Sequence, residues 1–111
     1  MKINLTPQRR EQSLEVVKLG NTLKLNGELF DFTPMSEGDT LPASAIASNW
    51  FFGTVDKIDG EIELTLFLPL PKNFSTEQAF PLPLVDVPDG PVTFPAPLPI
   101  AETESLAEVA Q

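Results

Sequence analysis

Between residues 14 and 32, apolar and polar positions alternate through Leu23, Lys24 and Leu25, break at Asn26-Gly27, and resume through Leu29, Phe30 and Phe32. Alternation of this kind marks half-buried strands, and Asn-Gly marks a two-residue hairpin turn whose central positions both need φ > 0. That loop length sets Leu25 opposite Glu28, Leu23 opposite Phe30 and Thr22 opposite Asp31. Leu23 and Phe30 then share a face, an aliphatic–aromatic cross-strand pair worth roughly 0.2–1 kcal/mol. A second hairpin repeats the chemistry, with residues 53–58, an Asp59-Gly60 turn and residues 61–68. It places Val55 opposite Leu64, Lys57 opposite Ile62, and Asp56 opposite Glu63. Facing carboxylates repel unless water screens them, so Asp56 and Glu63 belong on a wet face. Ile62, Leu64, Leu66 and Leu68 form the dry stripe.

The flanking segments extend this β pattern. Residues 2–6 alternate up to Pro7, as a short edge strand does. Residues 7–12 are polar and carry Arg9-Arg10, the only adjacent basic pair, which reads as a solvated connection or a docking contact. In the strand expected over residues 14–18, Leu14, Val16 and Val17 do not alternate cleanly, which allows a bulge or burial of both faces. Residues 33–39 are a surface loop by their Pro, Ser, Gly and Asp content, and 41–48 are a helical turn or an irregular crossing. Trp50, Phe51 and Phe52 follow, and three adjacent aromatics cannot all point inward from one strand. They read as a core plug beneath the preceding segment, or as a partner interface where exposed.

Beyond Pro69 the chain becomes a series of proline-limited pieces. Ser75 followed by Gln78 predicts a capping box opening a short helix within residues 73–80, which Pro81 ends. Residues 82–87 and 91–94 suggest a last edge hairpin across Pro88-Asp89-Gly90. Residues 96–111 read as a proline-rich acidic tail, mobile or ordered on a partner, in which Leu106 and Val109 share a helical face. The expected fold is a small all-β antiparallel sandwich or roll of about six to seven short strands, one domain over residues 1–95 with a C-terminal extension.

Composition narrows the function. The 111 residues supply one modest core. Nine of the 12 prolines lie at or after Pro69, so the last third is built differently from the rest. Cysteine and histidine are both absent, which excludes disulfides, thiolate chemistry and the commonest general base and metal ligand. A net charge of −9 opposes binding to a phosphate backbone, so a nucleic-acid partner is not expected. No apolar run is long enough to suggest a membrane span, and the start of the chain does not read as a secretory signal, so cytoplasmic synthesis is the expectation.

The carboxylates suggest little chemistry. Asp56 with Glu63 and Asp59 with Glu61 come nearest to a catalytic pair, but the solvated face of a small hairpin supplies no cleft to perturb them. The serines have no histidine to activate them, and Asp31, Glu37 and Asp39 do not reproduce a calcium-loop spacing. The glycines sit singly at turns and form no phosphate-cradling loop. Neither catalysis, a cofactor nor a metal is expected.

Several of these residues carry a resemblance. Lys2-Ile3 with Leu5 and Pro7, Asn26-Gly27-Glu28 leading to Phe30-Asp31-Phe32, and Leu41-Pro42 form its first part. Trp50-Phe51, Asp59-Gly60, Leu68-Pro69 and Phe80-Pro81 complete it. On these positions the chain resembles a group of small proteins of tailed bacteriophages and prophages, encoded near tail and tail-fibre genes. The resemblance implies a structural adaptor at the tail tip or fibre base, with other tail or fibre proteins as partners and a copy number of three or six in the assembly. Such a protein would pass from host cytoplasm into the virion tail. It leaves two alternatives open, a fibre-assembly chaperone absent from the mature virion and an acidic inhibitor of a host nucleic-acid-binding protein. The residues expected to meet a partner are Trp50, Phe51, Phe52, Arg9, Arg10, Leu106 and Val109.

Overall fold

The computed structural model describes residues 1–98, so Leu106, Val109 and most of the expected tail lie outside the described residues. Eight strands appear in chain order: β1 (Lys2–Arg9), β2 (Val16–Leu19), β3 (Thr22–Leu25), β4 (Glu28–Asp31), β5 (Thr40–Pro42), β6 (Thr54–Ile58), β7 (Glu61–Leu70) and β8 (Gly90–Pro91). A 3₁₀ turn, Ala43–Ala45, follows β5, and a four-residue helix α1, Thr76–Ala79, follows β7. The strands make two four-stranded sheets, ordered β1-β7-β6-β5 and β4-β3-β2-β8. The fold is all-β, as the alternation predicts.

One hydrophobic cluster joins the sheets. It takes Ile3, Val55, Ile62, Leu64 and Leu66 from the first and Val16, Leu23 and Leu25 from the second. Each fully buried aliphatic side chain stabilises the fold by about 1.5–3 kcal/mol before the cost of ordering the chain. β7 supplies the longest run, with Ile62, Leu64, Leu66 and Leu68 all buried on one face.

Both predicted turns are present. Asn26 and Gly27 have φ of 48° and 91°, Asp59 and Gly60 of 51° and 77°, the left-handed conformations a primed hairpin turn requires. The first hairpin has the predicted register of Leu25 with Glu28, Leu23 with Phe30 and Thr22 with Asp31. Side chains brace each turn from outside. Asn26 accepts from the Glu15 amide at 2.7 Å and donates to the Ser13 carbonyl at 3.1 Å. The Glu37 carboxylate accepts from the backbone amides of both Asp59 and Gly60.

The second hairpin departs from its predicted register beyond Asp56. The ladder pairs Asp56 with Glu63 and Lys57 with Ile62, but Phe51 bridges Leu66. Four residues therefore separate Phe51 from Asp56 where two separate Glu63 from Leu66. The surplus is absorbed around Gly53, whose φ of 77° an L side chain rarely adopts, and the predicted ladder pair of Val55 with Leu64 is not formed. Val55 instead pairs with Leu41 of β5, a strand the small-residue content of that region did not suggest.

Two further differences concern the prolines. β1 runs through Pro7 to Arg9 and pairs with β7 in parallel, Pro7 alongside Leu68, so one ladder of the first sheet is not antiparallel. Pro7 is tolerated because β1 is an edge strand and a missing N–H there breaks no second ladder. The hairpin expected from residues 82–87 and 91–94 does not form. Leu84 exchanges both backbone hydrogen bonds with Ile3 of β1, at 2.9 and 2.8 Å, whereas Gly90–Pro91 pairs with β2 and the Val92 amide donates to Val16. The C-terminal segment thus straps the edge of one sheet to the edge of the other. Turn geometry at Asp86 (φ 50°) and Gly90 (φ 115°) redirects it.

In β2 the inward positions are Val16 and Lys18, with Leu14 buried just ahead of the strand, while Val17 is half-buried beside Pro91. Neither a bulge nor full two-sided burial is needed. Lys18 brings an ammonium group to a core-facing position and places it 2.8 Å from Asp89 in the strap.

Candidate functional site

The slipped register around Gly53 disposes the aromatic triplet. The Phe52 amide donates to the Thr65 carbonyl and the Phe67 amide to the Trp50 carbonyl, so residues 50–52 extend the first sheet along β7. Alternation then turns Phe51 into the core and leaves Trp50 and Phe52 on the other face. Phe51 is buried against Phe30 and Phe32, with ring centroids 5.2 and 6.0 Å away. Phe52 stands edge-on to Phe67 at 5.5 Å and is half exposed.

Trp50 is covered by Arg10, whose guanidinium carbon lies 4.3 Å from the indole centroid and 5.1 Å from the Phe67 ring. Arg10 also donates to the Asn49 carbonyl at 2.8 Å and to Gln8 Oε1. A flat cation stacked on aromatic faces is worth about 0.5–2 kcal/mol. Of the expected contact residues, Trp50, Phe51 and Arg10 are therefore engaged within the chain. Arg9 is at the surface, bonded to Glu11 at 3.1 Å and to the Leu70 carbonyl at 2.9 Å. Phe52 alone of the triplet presents apolar surface outward.

Among the described residues, the largest apolar exposure lies elsewhere, after β7. Ser75 caps α1 as predicted, its hydroxyl accepting from the Gln78 amide at 3.2 Å while Gln78 Oε1 accepts from the Ser75 amide at 3.1 Å. Pro81 prevents the helix from continuing. The chain must then reach β1, where Leu84 is bonded to Ile3, and it crosses with Phe80 and Leu82 turned outward. Phe80 is 78% and Leu82 81% exposed, values at which burial contributes almost nothing to the fold. Val85, Phe74 and Leu98 are also exposed.

Phe80, Leu82, Leu84 and Pro95, together with Thr76 and Glu77 of α1, line a groove of about 350 Å³. Its far wall is held by the proline-rich segment. Ser75 Oγ donates to the Ala96 carbonyl at 2.7 Å, Asn73 donates through its side chain to the Leu98 carbonyl, and the Leu98 amide returns to the Asn73 carbonyl at 2.9 Å. Ala96 and Leu98 are thus tied to the residues just ahead of α1. Among the described residues, Glu77 is the only charged one lining the groove. Residues 73–98 contain Glu77, Asp86 and Asp89 and no lysine or arginine.

Of the carboxylates singled out in the sequence, Asp31, Glu37, Asp39, Asp56 and Glu63 accept hydrogen bonds in turns and strands. Asp56 accepts from the hydroxyls of Thr40 and Thr54, and Glu63 from Asn4. Asp39 accepts from the Ser36 amide at 2.7 Å. Asp31 accepts from Thr33 and from the Thr22 hydroxyl, and those hydrogen bonds hold its carboxyl below the usual range, Thr33 most strongly. The Lys18 ammonium does the same for Asp89, helped by the Gly20 amide. Among the described residues, no group of three or more acidic, histidine or cysteine side chains is gathered as a metal site would need, and no helix is long and apolar enough to cross a membrane.

The groove was missed in the sequence. Its signal was the run Phe80-Pro81-Leu82-Pro83-Leu84, whose prolines interrupt both helical and strand periodicity and so conceal which apolar side chains face outward. Comparison of the chain with protein-family models, curated proteins and solved structures finds no match.

Proposed function

We propose that this chain is a non-enzymatic contact protein, a structural adaptor that holds its partners through exposed apolar surface. The observation that carries the reading is the exposure of Phe80 and Leu82 beside the groove formed by α1 and Pro95. Large apolar side chains left this open in a small acidic domain favour a surface that is covered in the working assembly. The absence of histidine and cysteine and the use of the Asp56 and Glu63 carboxylates as strand acceptors support a role without catalysis. The setting we propose, a phage tail tip or fibre base reached from the host cytoplasm, rests on the sequence resemblance alone.

Mass spectrometry of purified virions tests the setting. An adaptor is retained at a fixed copy number relative to the tail proteins. Loss of the chain on purification, combined with fibre misassembly when its gene is removed, identifies a dedicated chaperone. Absence from particles with normal fibres in its place overturns both forms.

A further inference from the structure

We infer that the groove between α1 and residues 80–84 takes an apolar segment of another protein that carries lysine or arginine beside its apolar side chains. This inference rests on the contact-protein reading and adds the chemistry of the partner.

Three occupants are possible for an apolar groove of this kind: a second copy, the chain's own residues 99–111, or a different protein. Charge separates them. Among the described residues the groove's one charged liner is Glu77, and Asp86 follows two residues after Leu84. No described lysine or arginine lines the groove, Lys2 beside Ile3 faces Glu63, Asp89 is matched by Lys18, and Lys72 lies outside the lining. A second copy brings a surface of the same sign, since each chain carries a net charge of −9. Residues 99–111 carry Glu102, Glu104 and Glu108 and no lysine or arginine, so they too meet Glu77 with like charge. Like charges set against one another across an interface disfavour it, and opposite charges steer encounter. A partner that is apolar at its centre and basic at its margin satisfies both the groove and its rim.

The volume agrees with side-chain recognition. About 350 Å³ lies at the low end of the range for ligand pockets. The walls are two leucines, a phenylalanine and a proline, with a threonine hydroxyl and a carboxylate at the helix side. That arrangement suits leucine or phenylalanine side chains, with a neighbouring cation reaching Glu77.

The test uses the full-length chain and two short synthetic peptides with identical leucine and phenylalanine positions, one flanked by lysine and the other by glutamate. Binding is followed by NMR titration at low ionic strength. The lysine peptide is expected to bind roughly tenfold more tightly than the glutamate peptide, with shifts centred on Thr76, Phe80 and Leu82, and a preference that shrinks as salt is added. Leu82→Asp abolishes binding of the lysine peptide, and Glu77→Lys removes the preference. Both positions are on the surface, so an unchanged circular dichroism spectrum confirms that each variant folds. Equal binding of the two peptides, or binding of neither, overturns the inference. A wild-type dimer in sedimentation that Leu82→Asp dissociates assigns the groove to a second copy, and altered signals from residues 99–111 in Leu82→Asp assign it to the chain's own segment. Either result also overturns it. Retention of the chain in virions is measured separately, so the adaptor reading can survive the loss of this charge preference.

Discussion

Phe51 meets Phe30 edge-on, with ring centroids 5.2 Å apart and planes inclined at 69°. Phe51 bridges β7 in the first sheet and Phe30 lies in β4 of the second, so this contact joins the sheets at the side of the core away from the C-terminal strap. Phe51→Ala therefore removes a buried aromatic from between two layers and is expected to cost about 3–5 kcal/mol in urea unfolding. Phe52→Ala, one residue on, gives up a half-exposed ring that stands edge-on to Phe67 and is expected to cost about 1 kcal/mol. Equal losses at the two positions would contradict the assigned orientation of the triplet.

Arg10 screens the only tryptophan. Arg10→Ala uncovers the indole, so its fluorescence emission moves to longer wavelength and becomes more accessible to a soluble quencher, with a stability loss of about 1–2 kcal/mol. Arg10→Lys retains charge but not the planar stack, and is expected to shift emission in the same direction by less.

Glu37 reaches across the loop after β4 to the Asp59-Gly60 turn and accepts from both turn amides. Glu37→Ala leaves those amides to water, and because they are exposed the expected loss is about 1 kcal/mol rather than the larger cost of a buried orphan. Amide hydrogen exchange at Asp59 and Gly60 should accelerate selectively, while exchange at the Asn26-Gly27 turn stays unchanged.

Lys18 and Asp89 tie the strap to β2, and the pairing sets a pH dependence. The folded chain holds the Asp89 carboxyl below its ordinary range, chiefly through the Lys18 hydrogen bond and then through the Gly20 amide. The unfolded chain therefore binds the proton more readily, and stability from this group is complete above the ordinary carboxylate range and lost as pH falls through the lowered value. Asp89→Asn should be less stable than wild type at neutral pH, with the gap narrowing on acidification. Asp31 acts with the same sign, so the Asp89→Asn variant retains some acid dependence. A gap that widens toward low pH would contradict the pairing.

The local turn chemistry was legible in the sequence, and the long-range pairing was less so. Asn26-Gly27, Asp59-Gly60 and the Ser75–Gln78 capping box each need particular residues at fixed short spacing, and each is found where expected. The parallel pairing of β1 with β7 joins positions about sixty residues apart, and nothing in Lys2–Arg9 specifies that partner. The slip around Gly53 was hidden because a displacement of two residues keeps every side chain on its own face and leaves the hydrophobic pattern intact. For the candidate site, aromatic content drew attention to residues 50–52, but adjacent aromatics are as well suited to a core as to an interface. Proline-broken runs such as residues 80–84 carry no period from which exposure can be read.

The face bearing Phe80 and Leu82 is the surface through which we propose the chain is held in a phage tail. The most direct test is quantitative mass spectrometry of virions assembled with wild-type chain or with Leu82→Asp, both shown by circular dichroism to be folded. Wild-type chain is expected at a fixed ratio to the tail proteins and the variant at a small fraction of it. Retention of Leu82→Asp at the wild-type ratio would contradict the account.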